Sequence, residues 1–279
     1  MAIHREKYTN YDGVLDDSGA WWVVAWQTIK NVVGLLRTKI IVPLLWIAPL
    51  VATVAVVGEY AVRGKAEGFQ APGGSAVVVF LQVQFYLIAI LFMACCSGVV
   101  SHDLRYNTTQ LYFSKPLEKW EYTLGKFLGL FLLGSLVTVA PAIGVGGIRA
   151  ALLSQYGFFS AVAVDSAIGV GVSVVMTAIA SIVMLGLSSA TERTGFVVLA
   201  WIGVLFVPYI GSVLVSLSVD NPDVAGLLSI QSNIEMLSSV AIEGAQLEIP
   251  IWSPVVALVA FAGGGYWLHR WRLDHLEGV

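Results

Sequence analysis

The stretch that decides the fold is SHDLRYNTTQLYFSKPLEKWEYTLGK, residues 101–126, the one long polar interruption of an apolar chain. Apolar runs flank it on both sides, at residues 76–100 and 127–148. Polar sequence between two such runs is typical of a loop that joins two membrane helices at the membrane surface. We call residues 101–126 the platform and expect it on the cytoplasmic side. It holds four of the chain's 15 Lys and Arg residues: Arg105, Lys115, Lys119 and Lys126.

The composition of the whole chain is typical of a membrane protein. Hydrophobic residues make up 57% of the 279 residues and charged residues 12%, and the mean hydropathy is +0.81. A soluble domain has about 25% charged residues. The alternation of apolar and polar residues that a membrane barrel requires is absent from the sequence. The sequence therefore predicts an all-α integral membrane protein.

Six apolar runs are each near or above the roughly 20 residues that a helix needs to cross a bilayer. They predict a single transmembrane domain over residues 1–279, with spans at about residues 40–58, 76–100, 124–148, 161–187, 196–217 and 251–267. Prolines in or near these runs are expected to kink or begin helices. They are Pro43, Pro49, Pro141, Pro208 and Pro254.

Small residues four positions apart recur inside the predicted spans. Such pairs let two helix backbones approach closely, although as signals of a specific partner they are weak. Examples are Gly125/Gly129, Ala140/Gly144, Ala167/Gly171 and Ala260/Gly264.

The segment before the first span is predicted to be an amphipathic helix at residues 18–38, after a polar cytoplasmic leader at residues 1–17. Tryptophan and aliphatic residues recur at three- and four-residue spacing, a pattern that suits a helix in the membrane interface. A first transmembrane helix and a signal peptide are alternatives, but the long mixed-charge leader disfavours a signal peptide. The apolar stripe consists of Trp22, Trp26, Ile29, Val33 and Leu36.

The distribution of Lys and Arg predicts the orientation of the spans. With both termini inside, only Arg63, Lys65 and Arg149 fall outside, and the loop at residues 219–250 contains no Lys or Arg. This asymmetry follows the positive-inside rule and predicts a multi-pass protein of the cytoplasmic (inner) membrane, with both termini cytoplasmic. In the outer loop, Asn221 before Pro222 predicts a helix cap, so we expect one or two short helices there.

An energy source is not evident in the sequence. The phosphate-binding pattern G-x-x-x-x-G-K-[ST] is absent, because Gly125-Lys126 is followed by Phe127 and the required earlier glycine is missing. An ion-coupled carrier should place ionisable groups inside its spans. Asp165 is the one candidate and lies near the predicted outer end of span four. A self-powered carrier is therefore disfavoured.

Two other functional classes remain alternatives on sequence alone. Ser188 and His269 lie near the predicted inner face and are the candidates for an intramembrane Ser–His hydrolase, although neither lies in a diagnostic motif. A membrane scaffold without transport is also open. Cys95 and Cys96 are expected to be packing residues, with a Cu(I) site including Met93 as the alternative. We predict no catalytic residue and no metal site in this chain.

The platform resembles the signature of ABC-2 type transporter permeases. In that family an acidic residue is followed five positions later by Thr, then eight later by Pro, usually after Ser and a basic residue, and nine later by Gly-Lys. Here the matching positions are Asp103, Thr108, Pro116 and Gly125-Lys126. The family usually has Glu in place of Asp103 and Gly in place of Asn107; Asn tolerates the left-handed geometry next best.

The resemblance implies the permease subunit of an ATP-driven exporter. It implies a separate ABC ATP-binding subunit that carries ATP and Mg²⁺, a second permease copy (a homodimer or a related chain), and no nucleic acid. It also implies that residues 101–123 form a cytoplasmic coupling region, including a coupling helix between spans two and three, and that the amphipathic helix helps transmit motion. The apolar spans suggest a hydrophobic or amphipathic cargo such as a lipid, peptide or drug-like molecule. The expected docking residues are Asp103, Leu104, Arg105, Thr108, Leu111, Tyr112, Ser114, Lys115 and Pro116.

Overall fold

The computed structural model describes residues 19–63, 74–106, 108, 117–154, 159–219 and 221–275. All regular structure in these ranges is helical. Two short π-helical segments, Phe92–Cys96 and Ser239–Glu243, accompany the α-helices. The α-helices are α1 (Ala20–Val33), α2 (Leu36–Leu45), α3 (Ile47–Arg63), α4 (Ser75–Leu91), α5 (Ser101–Arg105), α6 (Lys119–Val137), α7 (Val139–Ser154), α8 (Phe159–Ala190), α9 (Thr194–Ser216), α10 (Pro222–Gly226), α11 (Ile230–Ser238) and α12 (Trp252–His275).

Five helical stretches of the described chain are long and apolar enough, by length and composition, to cross a membrane. They coincide with the first five predicted spans, and this confirms a multi-pass, all-α membrane protein. The sixth predicted span, residues 251–267, lies in α12. This helix is not among the five, so the sixth span stays a prediction. The five are Leu36–Gly58, Ser75–Arg105, Lys119–Ser154, Val162–Ala190 and Thr194–Ser216.

The spans differ sharply in how much of each is buried inside the chain. The most apolar windows of spans two, three and four are 44%, 50% and 56% buried, whereas those of spans one and five are 11% and 17% buried. Spans two to four therefore form the centre of the helix bundle. Spans one and five lie at its periphery and expose apolar surface.

Several spans are interrupted where proline or a π-helical segment disturbs the helical hydrogen bonds. Span one breaks at Trp46 between α2 and α3, shortly after Pro43. Span three breaks at Thr138 between α6 and α7. Pro141 has no N–H to donate to the carbonyl of Val137, so the helix loses a bond next to this break. By contrast, Pro208 lies within α9 without interrupting it.

A buried polar network surrounds the break in span three. Gln84 in span two is fully buried, and its amide Nε2 donates to the Thr138 carbonyl over 2.7 Å. The Ser173 hydroxyl of span four donates to Gln84 Oε1 over 2.9 Å, and the Thr138 and Thr177 hydroxyl oxygens are 2.6 Å apart. Interhelical hydrogen bonds in membranes contribute only about 0.6 kcal/mol each on average. The network therefore chiefly fixes how the broken span three meets its neighbours.

Glycines bring neighbouring helices into close contact. A Cβ added at Gly125 would lie 2.5 Å from the Trp21 carbonyl, and one at Gly129 would lie 2.8 Å from Thr28 Cβ. The Gly125/Gly129 pair therefore lets α1 pack closely on α6, as the spacing of the two glycines allows. Gly144, Gly171 and Gly264, from the other predicted pairs, have no such neighbour within 4 Å. Another close contact, outside the predicted pairs, joins Gly186 of α8 to Gly265 of α12.

We expect Gly186→Ala to destabilise the protein and Gly264→Ala to leave it nearly unchanged. A Cβ at Gly186 would collide with backbone atoms of Gly265, which cannot rotate away as a side chain can. Overpacking of this kind costs about 1–3 kcal/mol, whereas Gly264 faces open space and helical Ala is favoured over Gly. Thermal unfolding of both variants in one detergent checks this. Equal melting temperatures would contradict the α8–α12 contact.

The segment before the last helix contains the short helices expected at residues 219–250. The Asn221 side chain caps α10 by accepting from the backbone N–H groups of Asp223 and Val224, as predicted from the Asn-Pro pair. In α11, Ile230 and Ile234 are buried in the main core cluster. This segment therefore packs between the spans and is not a floppy loop.

The predicted amphipathic helix at residues 18–38 is two helices in the structure. α1 ends at Val33, Gly34 follows as its C-cap, and Leu36 already begins α2. The buried face of α1 consists of Val24, Ala25, Thr28 and Val32. The predicted stripe is a different face: Trp22, Trp26, Val33 and Leu36 are exposed, and Ile29 packs partly on the core.

Candidate functional site

The platform ends are well defined where the structure describes them. α5 ends the second span, and α6 begins the third. Glu118 is the N-cap of α6, and the Glu118 backbone N–H donates to Glu121 Oε2 over 3.1 Å in a capping box. The two acidic residues therefore lie at the helix start, where negative charge is favourable. We call the end of the bundle formed by residues 101–106 and 117–126 the platform end.

A buried ion pair joins the two sides of the platform. Lys126 Nζ lies 2.6 Å from Asp103 Oδ2, and the two side chains are only 4% and 14% exposed. Lys126 also donates to the Val99 carbonyl over 3.0 Å. The Tyr122 hydroxyl donates to Asp103 Oδ2 over 2.8 Å, and the Thr108 hydroxyl donates to the Asp103 carbonyl over 3.2 Å. We call these five residues the Asp103 cluster.

The Asp103 cluster holds the end of span two against the start of span three. Asp103, Thr108 and Lys126 occupy positions of the signature that the sequence resembles, and in the structure Thr108 and Lys126 both contact Asp103. A buried charge stays ionised at acceptable cost only when it is paired and hydrogen-bonded, and both requirements are met here. The cluster therefore fixes the described ends of the platform relative to each other.

The other expected docking residues fall into three groups. Leu104 is 5% exposed and packs in the main core cluster, so it does not contribute exposed surface. Arg105 is exposed, and its guanidinium carbon lies 5.7 Å from the ring centroid of the exposed Tyr106. Five more expected residues, together with Asn107 of the resemblance, lie outside the described residues: Leu111, Tyr112, Ser114, Lys115 and Pro116.

His269 of α12 packs against the Asp103 cluster through Tyr122. Its ring stacks on Tyr122 with centroids 6.5 Å apart and planes 11° apart. Its Nε2 lies 3.1 Å from the Thr123 hydroxyl, which itself donates to the Lys119 carbonyl. His269 lies beyond residue 267, the end of the predicted sixth span. Burial lowers its pKa to about 4, with a further contribution from the nearby Lys126 cation, so the ring is neutral at neutral pH.

The Ser188 hydroxyl has a structural role at the end of span two. It accepts from the backbone N–H groups of Val100 and Ser101 over 2.9 and 3.1 Å and donates to the Ser97 carbonyl over 3.0 Å. These bonds satisfy backbone groups in the turn after the π-helical segment. In the described part of the chain, Ser188 and His269 are thus hydrogen-bonded to different groups and do not form the pair that a hydrolase would need.

Further ion pairs tie α12 to its neighbours at the platform end. Lys119 Nζ lies 3.0 Å from Asp274 Oδ1, and Arg272 lies 3.9 Å from Glu192. The hydrogen bond from Lys119 lowers the pKa of Asp274, which remains ionised at neutral pH. These exposed pairs contribute little stability individually. They do show that charged groups converge at this end of the bundle.

Exposed tryptophans of α1 form a second surface beside the platform. The Trp22 and Trp26 rings stack with centroids 6.5 Å apart, and Lys30 Nζ lies 5.6 Å from the Trp26 ring centroid. The opposite face of α1 packs on α6 at Gly125 and Gly129. α1 is thus positioned to move together with the start of span three.

Over the ranges that the structure describes, no three His, Cys, Asp or Glu side chains converge as a metal site would require. Cys95 and Cys96 are buried in the π-helical segment of span two, as free thiols.

No protein-family model matches the chain, and a search of curated proteins found no matching relative.

Proposed function

We propose that this chain is the membrane subunit of an ATP-driven exporter and that an ABC ATP-binding subunit docks on its platform. The observation that carries the proposal is the Asp103 cluster. A buried polar cluster whose members are hydrogen-bonded to one another rigidifies the groups that it joins, here the end of span two and the start of span three. Such rigidity suits a loop that must transmit a displacement from a partner to the helices behind it.

Transmission would run through elements that contact the cluster. α6 carries Tyr122 and Lys126, and it also seats α1 at Gly125 and Gly129. A displacement of the platform would therefore move the start of span three and α1 as one unit. The break at Thr138 lets the first half of span three tilt relative to the second half.

The complete assembly proposed has six spans per chain with both termini cytoplasmic, two permease copies, and two partner subunits that carry ATP and Mg²⁺. ATP must bind two states of this assembly with different affinity to do work. The cargo proposed is hydrophobic or amphipathic, and it would cross between the two permease copies. The sixth span would be residues 251–267, at the start of α12, and the protein would lie in the inner membrane.

We expect Arg105→Ala to weaken docking of the ATP-binding subunit without destabilising the chain. Arg105 is the exposed cation of α5, and interface arginines often contribute more than 1 kcal/mol to binding. The test measures binding and ATPase stimulation with the ATP-binding protein encoded beside the gene. We expect affinity to fall by about tenfold.

Arg193→Ala is the matched control, because Arg193 is an exposed cation just before α9, outside the platform. The proposal predicts that this variant behaves as the wild type. Equal affinity of wild type and Arg105→Ala, or no complex with wild type, would count against the docking surface.

A further inference from the structure

A cavity opens between α6, α8 and α12 at the platform end. Its volume is about 280 Å³. Its wall is mostly apolar and is formed by Leu124, Phe127, Ile182, Leu185 and Leu273. Pockets that enclose whole drug-sized ligands have about 300–1,000 Å³. The volume is therefore too small for an entire lipid but suits part of one acyl chain.

The mouth of the cavity is charged. Lys119, Arg270 and Asp274 line it, with Lys119 Nζ 3.0 Å and Arg270 Nε 3.9 Å from the Asp274 carboxylate. Two cations and one anion leave a net charge of +1 at the mouth (2 − 1 = 1). An apolar wall below a positive mouth is complementary to a molecule with an acyl chain and an anionic headgroup.

Aromatic residues give the depth of this mouth in the membrane. Trp120 and Tyr266 line it and are exposed. On the adjacent part of α12, Trp267 and Trp271 stack with centroids 6.5 Å apart and are also exposed. Exposed Trp and Tyr side chains concentrate at headgroup depth in membrane proteins. The mouth therefore lies where lipid headgroups are available.

We infer that this cavity binds one anionic phospholipid from the leaflet at the platform end. An acyl chain lies between α6, α8 and α12, and the headgroup phosphate contacts Lys119 and Arg270. Basic pockets between transmembrane helices bind anionic headgroups in this way. The inference rests on the membrane class of the protein and on this cavity, not on ATP-driven transport, so either proposal can fail without the other.

The test is native mass spectrometry of the purified, delipidated full-length protein. Phosphatidylglycerol or phosphatidylcholine with identical acyl chains is titrated, and the fraction of protein with one bound lipid is measured. We expect saturable binding of phosphatidylglycerol in preference to phosphatidylcholine. Glycerophosphoglycerol, the headgroup without acyl chains, should not displace the lipid.

Two variants and their matched controls locate the binding. Arg270→Ala removes a mouth cation and is expected to weaken phosphatidylglycerol binding by about fivefold, the effect of about one surface charge. Leu124→Trp fills the cavity and should abolish saturable binding. Arg193→Ala and Leu128→Trp make the same changes outside the cavity lining and should bind as the wild type.

Equal binding of the two phospholipids by the wild type would overturn the inference. So would wild-type affinity in Arg270→Ala, which changes an exposed side chain and is not expected to disturb folding. Displacement by glycerophosphoglycerol would show a soluble phosphate site and would also overturn it.

Discussion

Replacing Lys126 with methionine is expected to lower the free energy of unfolding by about 3–5 kcal/mol, the cost of leaving a buried charge without its partner. Asp103 would keep the Tyr122 hydroxyl as a donor but would lose the ammonium 2.6 Å away. Asp103→Asn should have a comparable effect, because it leaves the Lys126 cation with the Val99 carbonyl as its polar contact in the Asp103 cluster.

The double variant Asp103→Asn/Lys126→Met distinguishes the loss of the ion pair from a change in side-chain packing. Replacing both members of a buried ion pair by neutral groups is often nearly neutral, so the double variant should be more stable than either single one. Arg105→Met is the control, since it removes an exposed cation from the same helix as Asp103 and should change stability by less than about 0.5 kcal/mol. Single variants as stable as this control would show that the pair is not buried.

The sequence was sufficient for the outline of the fold because long apolar runs have few alternatives in a membrane. Five of the six predicted spans coincide with helices that are long and apolar enough to cross. The capping of α10 by Asn221 also followed from the sequence, because a helix cap depends on residues that are neighbours along the chain. Such local rules do not depend on the tertiary arrangement.

Contacts between helices were not predictable in the same way. The sequence shows how far apart Asp103 and Lys126 are along the chain. It does not show that the two side chains contact each other, because this depends on how spans two and three cross. Gln84 gave one usable signal, because an amide inside an apolar run must find hydrogen-bond partners. The Gly186–Gly265 contact was not predicted, because spacing alone does not say which of the many small residues in the spans meet another helix.

The first helix has a buried face that the periodicity of its apolar residues did not predict. The predicted stripe, which contains Trp22 and Trp26, is exposed, as a stripe that faces the membrane interface would be. The buried face contains Thr28, whose hydroxyl donates to the Val24 carbonyl over 2.8 Å. That bond satisfies the hydroxyl within the helix, so Thr28 can be buried against α6. In a membrane protein an apolar stripe can contact lipid as well as pack in a protein core.

Gly125→Leu is expected to undock α1 from α6. A Cβ at this position would lie 2.5 Å from the Trp21 carbonyl and 2.6 Å from Val24 Cβ, so the helices must separate. Overpacking costs about 1–3 kcal/mol where the core yields. Here the helix carrying Ala25, which is fully buried in the wild type, would move away as a unit.

A cysteine introduced at Ala25 reports the undocking through its reaction with a maleimide, in a background in which Cys95 and Cys96 are alanine. We expect slow labelling in the Gly125 parent and fast labelling in Gly125→Leu. Gly144→Leu is the matched control, because a Cβ at Gly144 meets no such neighbour within 4 Å. Labelling that is equally slow in both leucine variants would show that α1 does not depend on the glycine contact.

The central claim is that the platform is the docking surface for an ATP-binding subunit. Photo-cross-linking in cells tests it most directly, with a photoreactive amino acid placed at position 105 in the platform or at position 228, an exposed residue between α10 and α11. The account predicts a cross-link to the ATP-binding subunit from position 105 and none from position 228. No cross-link from position 105, or equal cross-linking from both positions, would contradict it.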